Sequence, residues 1–216
     1  MSPAPTPMRV AADTGALRYH AGRVELLLIR RKFPPFQGRW ALPGGFVEPD
    51  EDLPVAAARE LLEETGVQAP LLVEVGAFGT PGRDPRHRTV TIVYYTVTAG
   101  AEACAADDAA DATWHPIDAL PDRLAFDHDL VTKRILDRFR RDARLTHVLF
   151  AFTQAPFDLR TTTQIARASG IVPVDVADDE LTQALRDCAV LVDADSVGFR
   201  LASTSFSADL SRPLLW

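Results

Sequence analysis

The stretch that leaves this chain the fewest options is Gly45-Phe-Val-Glu-Pro-Asp-Glu51 together with Arg59-Glu-Leu-Leu-Glu-Glu-Thr-Gly-Val67. Asp52 to Thr65 carries the start and stop signals of a helix. Asp52 can cap the first turn, Pro54 sits where a missing N–H costs nothing, and Gly66 can take the left-handed position that closes the last turn. Glu60, Glu63 and Glu64 then fall at i, i+3 and i+4, and Ala57, Ala58, Leu61 and Leu62 are left to pack on a sheet. Like charges at this spacing repel by about 0.2–0.5 kcal/mol per pair. Glu63 and Glu64 also lie in the last turn, where the helix dipole disfavours anions by roughly 0.3–1 kcal/mol each. A solvated acidic face tolerates such costs. The functional reading is that broken local rules gather beside the double glycine Gly44-Gly45, where a divalent cation would turn repulsion into coordination. An all-oxygen ligand set favours Mg²⁺ or Mn²⁺ over zinc or copper.

Elsewhere strands and helices alternate. Val24–Ile29 is an apolar strand run, broken by Arg30-Arg-Lys-Phe-Pro-Pro35. Leu71–Val75 and Thr89–Val97 are strands, the second too apolar for an exposed edge, with Tyr94 and Tyr95 on opposite faces. Ala99–Thr113 is an Ala/Asp-rich loop and Trp114–Ile117 a short strand. His128–Arg141 is a helix with Val131, Ile135 and Phe139 on one stripe. This order argues for an α/β domain. The basic run Arg140–Arg144 ends that helix and marks a boundary, giving a disordered tail over 1–8, a first domain over 9–143 and a second over 144–216. In the second, Leu145–Thr153, Thr161–Ser169 and Asp178–Ala189 read as helices, and Val190–Val192 with Val197–Leu201 as a hairpin. Three short helices and a hairpin describe a small winged-helix-like module.

Composition narrows the class. With 47% hydrophobic and 25% charged residues, the chain is neither disordered, collagen-like nor membrane-spanning, and no apolar run reaches the roughly 18 residues a spanning helix needs. Met1–Met8 lacks the apolar core of a signal peptide. Cys104 and Cys188 cannot build a disulfide framework, and no Cys/His spacing suggests zinc. The expected location is the cytoplasm. Against 30 Asp+Glu stand 23 Lys+Arg, a net charge of −7. A phosphorylated ligand therefore needs a local basic patch, or a metal that supplies the missing positive charge.

Gly45, Glu51, Arg59, Glu60, Leu61, Glu63, Glu64, Gly66 and Val67 match every constrained position of the signature box of the Nudix hydrolases, and the chain resembles that family. The resemblance implies an α/β/α sandwich with a mixed sheet. It also implies cleavage of a nucleoside diphosphate linked to another moiety. Glu60, Glu63 and Glu64 are the implied metal ligands, helped by the backbone carbonyl of Gly44, and Arg59 completes the catalytic set by pairing with a box glutamate and orienting it. Such chemistry is self-consistent. Metal ions neutralise a pyrophosphate, lower the pKa of the attacking water and hold it in line, and a carboxylate takes the proton. Glu60, Glu102, Asp107, Asp108 and Asp111 all remain open as that carboxylate.

Similarity extends over roughly residues 8–140. The segments Arg31–Gly45, Gly82-Arg-Asp-Pro-Arg86 and Leu124-Ala-Phe-Asp-His128 resemble bacterial ADP-ribose pyrophosphatases and their regulator relatives, except that His87 stands where the group has glycine. Arg39, Arg83, Arg86 and Asp108 are the candidate substrate-binding residues, the arginines having solvated loop positions as the plainer reading. Trp40 reads as core, with stacking on a base as the alternative, and His128 as a structural hydrogen-bonding histidine. The expected function is Mg²⁺-dependent hydrolysis of ADP-ribose, or a related derivative, to AMP and a sugar phosphate. A sanitiser of nucleoside triphosphates would share the metal site. From another class comes an ADP-ribose-sensing regulator that binds DNA through its winged helix. Charge disfavours it: residues 141–216 hold 7 Arg and no Lys against 10 Asp+Glu, and Asp178, Asp179, Glu180 and Asp187 face one Arg186 in the presumed recognition helix. Thr161-Thr-Thr-Gln164 and Arg167 keep DNA open. A homodimer is expected, with the apolar tail Arg212–Trp216 able to swap onto a partner.

Overall fold

Twelve residues that the sequence reading leaves unassigned, together with Met8, which it assigns to a disordered tail, form the strand on which the sheet is built. β1 (Met8–His20) carries Asp13, Thr14, Gly15 and Arg18, which break any simple apolar run, yet Ala11 to Arg18 are buried. The computed structural model describes residues 7–103, 109–145, 147–153, 159–173, 175–187, 191–193 and 199–201. Cys104, Asp107, Asp108, Cys188 and the tail 212–216 lie outside the described residues.

Beside β1 run β2 (Arg23–Arg31), β3 (Trp40–Ala41), β4 (Gly44–Phe46), β5 (Val73–Phe78), β6 (Arg88–Thr98) and β7 (Ala109–Pro116). One seven-stranded mixed sheet results, in the order β3-β2-β1-β6-β5, with β4 added to β1 and β7 to β2. β6 runs parallel to β1 from Met8↔Arg88 to Arg18↔Thr98 and fills one edge of it. Two partners share the other edge: β2 pairs only at Leu17 to His20, β4 only at Ala11 to Asp13. Past Leu26 the second strand leaves β1, keeps β7 on its far edge, and takes β3 at Ile29 and Arg30 on the edge that β1 vacates. A gap therefore opens between the end of β2 and β4, and the site lies there. β7 begins at Ala109, inside the stretch read from sequence as loop.

Helix α1 (Leu53–Thr65) covers one face of the sheet, packing Ala56, Ala57 and Leu61 on Ala12, Ala16, Leu27 and Tyr94. Helix α2 (His128–Leu145) covers the other with Val131, Ile135 and Phe139 on Leu17, Leu26, Leu28, Val93 and Tyr95. Strand alternation decides which neighbour goes where, so Tyr94 and Tyr95 face opposite layers. This is the α/β/α sandwich. On α1 the pattern differs from expectation: Ala56 is buried in place of Ala58, and Leu62 is 46% exposed.

The basic run forms the last turns of α2. The helix continues to Leu145, where Arg140 Nε donates to the Ser169 carbonyl (3.1 Å) and Arg144 Nε to that of Ile171 (3.3 Å). A 3-10 helix (His147–Phe152) replaces the expected α-helix, followed by α3 (Leu159–Ala168) and α4 (Asp178–Asp187). A hairpin of β8 (Leu191–Asp193) and β9 (Phe199–Leu201) completes the winged-helix-like arrangement. Val148, Leu149, Phe150, Phe152, Ile165, Leu181 and Leu185 join the same apolar cluster as the α2 face of the sheet. Among the described residues no helix is long and apolar enough to cross a membrane.

Candidate active site

Both ends of α1 are closed as its sequence dictates. Asp52 accepts the Leu53 N–H at 2.8 Å, and Gly66, at φ 71°, donates its N–H to the Leu62 carbonyl at 2.8 Å. The helix then lies against the double glycine. A Cβ on Gly44 would sit 2.4 Å from the Ala12 carbonyl oxygen and 2.4 Å from Asp13 Oδ1, and one on Gly45 only 2.3 Å from Glu60 Oε1. No side chain fits at either position, because carboxylates press on the backbone from both sides.

Arg59 organises the acids. Its guanidinium forms a bidentate pair with Glu51 (2.7 and 2.8 Å), donates to Glu60 (2.9 Å) and Glu63 (3.0 Å), and reaches the Phe46 carbonyl (3.3 Å). This pairing holds the Glu51 carboxyl below its ordinary pKa. Glu64 is on the face of α1 that packs inward, 8% exposed, and accepts the Gly44 N–H at 2.9 Å. Burial pushes its pKa up to about 8; that one hydrogen bond opposes the shift, and repulsion from Glu60 and Asp13 adds to it. Burial raises Glu60 as well, against the pull of Arg59.

Glu60, Glu64 and Arg59 line a cleft of about 590 Å³ together with the Gly44–Phe46 strand. Arg31, Lys32 and Arg86 line it too, so cations gather here on a chain of net charge −7. A smaller pocket of about 60 Å³ opens from the same wall, floored by Asp13, Arg83, Asp84, Phe126 and His128. In it Arg83 is bidentate to Asp127 (2.7 and 3.0 Å) and 3.8 Å from Asp13. His128 Nδ1 accepts the Leu42 N–H at 2.9 Å, which leaves the remaining proton on Nε2, 3.8 Å from Asp13. Burial lowers the pKa of this imidazole. Arg86 is bidentate to Asp84 (3.0 and 2.8 Å) and lies over the rings of Phe46 (5.6 Å) and Phe126 (5.7 Å). Burial disfavours the Asp84 carboxylate, but the Arg86 hydrogen bonds outweigh it and its pKa is lowered.

The sequence-predicted residues are thus partly assembled. Glu60 and Glu64 share the cleft with Gly44, while Glu63 points to its exposed rim and does not line it. Arg86 faces the cleft, but Arg83 is buried against two aspartates and reaches only the deeper pocket. Arg39 lies over Phe36 (5.6 Å) and lines neither cavity. Trp40 packs on the core and on His115, with ring centroids 4.7 Å apart. Glu102 is ion-paired with Arg18 beside Glu25, about 20 Å of strand away from the cleft end of β2. Asp111 pairs opposite Arg30, next to that end. Asp13, Asp84, Phe126 and Asp127 went unmarked as site residues; the last three sit inside quoted motifs, whereas Asp13 carries no local signal at all.

Among the described residues no three His, Cys, Asp or Glu side chains converge as a ready ligand set, because Arg59 engages Glu60 and Glu63. The residues nevertheless suit a hard cation. Glu60 and Glu64 are two crowded carboxylates with raised pKa values, pressed on a glycine backbone that leaves the cleft clear. A divalent ion would relieve their repulsion.

Known proteins bear on this arrangement. The ADP-ribose pyrophosphatase of Methanocaldococcus jannaschii is 43% identical over 109 residues, 50% of this chain and 64% of that protein. The ADPR responsive transcriptional repressor NtrR of Acinetobacter baylyi is 34% identical over 146 residues, 66% of this chain and 58% of that protein. This chain therefore spans less than two-thirds of either relative. The crystal structure of Shewanella oneidensis NrtR complexed with a 27mer DNA aligns at a TM-score of 0.74 and 25% identity, over 89% of this chain and 91% of that one. The family model described as the NUDIX domain matches residues 9–139. Its match takes in the double-glycine turn, the acidic helix and both cavities, and the chain belongs to the NUDIX family.

Proposed function

We propose that this protein is a Mg²⁺-dependent hydrolase (Mn²⁺ serving as well) that cleaves the phosphoric anhydride of ADP-ribose, or a related nucleoside diphosphate derivative, to AMP and a sugar phosphate. The observation that carries this reading is the pairing, in one cleft, of half-buried Glu60 and buried Glu64 with cations Arg31, Lys32 and Arg86. Glu60 and Glu64, with the Gly44 backbone, would hold the metal, and Glu63 would join them from the rim. When bound, the ion supplies charge neutralisation of the diphosphate and a lowered pKa for water. Arg59 acts through the acids by fixing Glu60 and Glu51. Arg86, positioned by Asp84, and Arg31 provide the charge that draws a diphosphate in. Among the described candidates only Glu60 lines the cleft, which supports it as the carboxylate that takes the proton. Asp108 remains a further substrate contact in this reading, and Arg39, which lines neither cavity, is set aside.

A panel of nucleoside diphosphate derivatives and nucleoside triphosphates, with Mg²⁺ and Mn²⁺, tests it. AMP release from ADP-ribose is expected, and turnover of triphosphates alone would make the protein a sanitiser instead. Glu64→Gln should abolish metal-dependent turnover while leaving the fold intact; retained turnover would sink the ligand assignment.

One observation favours a second reading, the likeness to Shewanella NrtR across the C-terminal module. Against DNA binding stands the charge of residues 141–216. Moreover Arg167 is committed to Asp178 and to the Val176 carbonyl, and Thr162 and Thr163 are buried. We read the module as a packing unit, consistent with a homodimer. Salt-dependent binding of duplex DNA, relieved by ADP-ribose, would reverse that choice.

A further inference from the structure

At the mouth of the cleft stands an aromatic side chain that the chemistry above does not use. Phe33, on the loop between β2 and β3, is 52% exposed and lines the cleft that holds Glu60 and Glu64. Its loop is braced. Arg31 Nε donates to the Pro35 carbonyl (2.8 Å) and Nη2 to that of Phe33 itself (3.4 Å), while the Arg31 backbone exchanges hydrogen bonds with Arg39 and Gly38 (2.9 and 2.8 Å). Pro34 and Pro35 restrict the chain on its far side. The same Arg31 guanidinium lies 4.7 Å over the Phe126 ring, which ties the loop to the floor of the adjoining smaller pocket. The loop's other aromatic, Phe36, is already spent on packing, edge-on to Phe126 at 4.9 Å. Phe33 thus presents a half-exposed ring on a braced stretch of backbone beside Lys32, whose ammonium is 5.5 Å from it, at the entrance to a cleft lined by Arg31, Lys32 and Arg86.

We propose that Phe33 is the platform on which the flat base of the nucleotide substrate stacks, with the diphosphate led past Arg31 and Arg86 toward Glu60 and Glu64. This rests on the nucleotide-hydrolase reading of the same cleft. A phenyl ring offers a π-face and no hydrogen bonds, so it grips any nucleobase without reading its edge. Phe33 is a specificity residue for the base-bearing half of the substrate, and selectivity among bases has to come from elsewhere.

The test compares wild type, Phe33→Ala and Phe33→Tyr in steady-state hydrolysis of ADP-ribose with Mg²⁺, alongside calorimetric binding of AMP and of ribose 5-phosphate. Phe33→Ala should raise KM about tenfold with kcat nearly unchanged, weaken AMP binding to a similar degree and leave ribose 5-phosphate binding as it was. Phe33→Tyr should restore KM and AMP affinity. Wild-type KM and AMP affinity in Phe33→Ala would overturn the proposal, as would equal impairment of both variants, which would make the ring a loop-packing group. If wild type fails to turn over ADP-ribose, the hydrolase reading falls, and the AMP titration still decides the stacking.

Discussion

Glu64 illustrates how one position can belong to two patterns. By sequence it is the third acid of a helical triad, but the helix buries it at 8% exposure, where the Gly44 N–H and the more distant charge of Arg31 compensate it only in part. Such burial is what a cation-free carboxylate resists and a bound divalent ion rewards. His128 makes the complementary point about a group that must stay neutral. Its folded-state pKa is lowered by burial, while the unfolded chain protonates near the ordinary value of about 6.5. Below that pH the unfolded chain holds the extra proton, so the stability this group contributes is complete above about 6.5 and is lost as pH falls. The slope is at most about 1.4 kcal/mol per pH unit. Urea unfolding at pH 5.5 and 7.5 should show a smaller loss for His128→Asn, which keeps an acceptor for Leu42, than for wild type. An identical loss in both would exclude His128 as a source. Nothing in the residue order marked Asp13 as its neighbour, because the two meet only across the sheet and α2.

At the scale of elements, α1 was the most legible part of the chain. Its cap, its proline, its closing glycine and its acids all obey local rules, and local rules act over the few residues that a sequence window contains. Substituting Gly66 by Ala at φ 71° should cost about 1–2 kcal/mol in urea unfolding, with Asn costing less; no change would mean the helix end is not held in that conformation. Gly45→Ala is a different experiment. Its Cβ would overlap the Glu60 carboxylate at 2.3 Å, so it should lose metal-dependent turnover while the protein still folds. Full activity in that variant would show that Glu60 can leave the turn without consequence. The strand β1 was illegible for the opposite reason. Asp13, Thr14 and Arg18 are buried polar groups whose partners, among them the Ala57 carbonyl and Glu25, come from other elements. Gly15 is there because α2 packs Ile135 where a Cβ would stand, 2.8 Å away.

Over the whole molecule, the apolar cluster that begins under α2 runs without interruption into α3 and α4. Removing Ile165, fully buried in α3, should therefore destabilise the whole protein by about 2–5 kcal/mol and shift a single unfolding transition. A variant in which the C-terminal helices melt alone, with the sheet unchanged, would contradict that continuity. Charge operates at the same scale: a chain of net −7 concentrates Arg31, Lys32 and Arg86 around one cleft, which composition averages away. The residue order by itself determined the acidic helix, its glycine turns, the α/β class and the family, since each is written in spacings of a few residues. Only the tertiary structure decided that β2 leaves β1 to open the cleft, that Arg83 is buried while Arg86 faces out, and that Glu102 lies far from the acids. Those outcomes depend on which strands share an edge. Contacts between residues tens of positions apart, and no local preference, settle that.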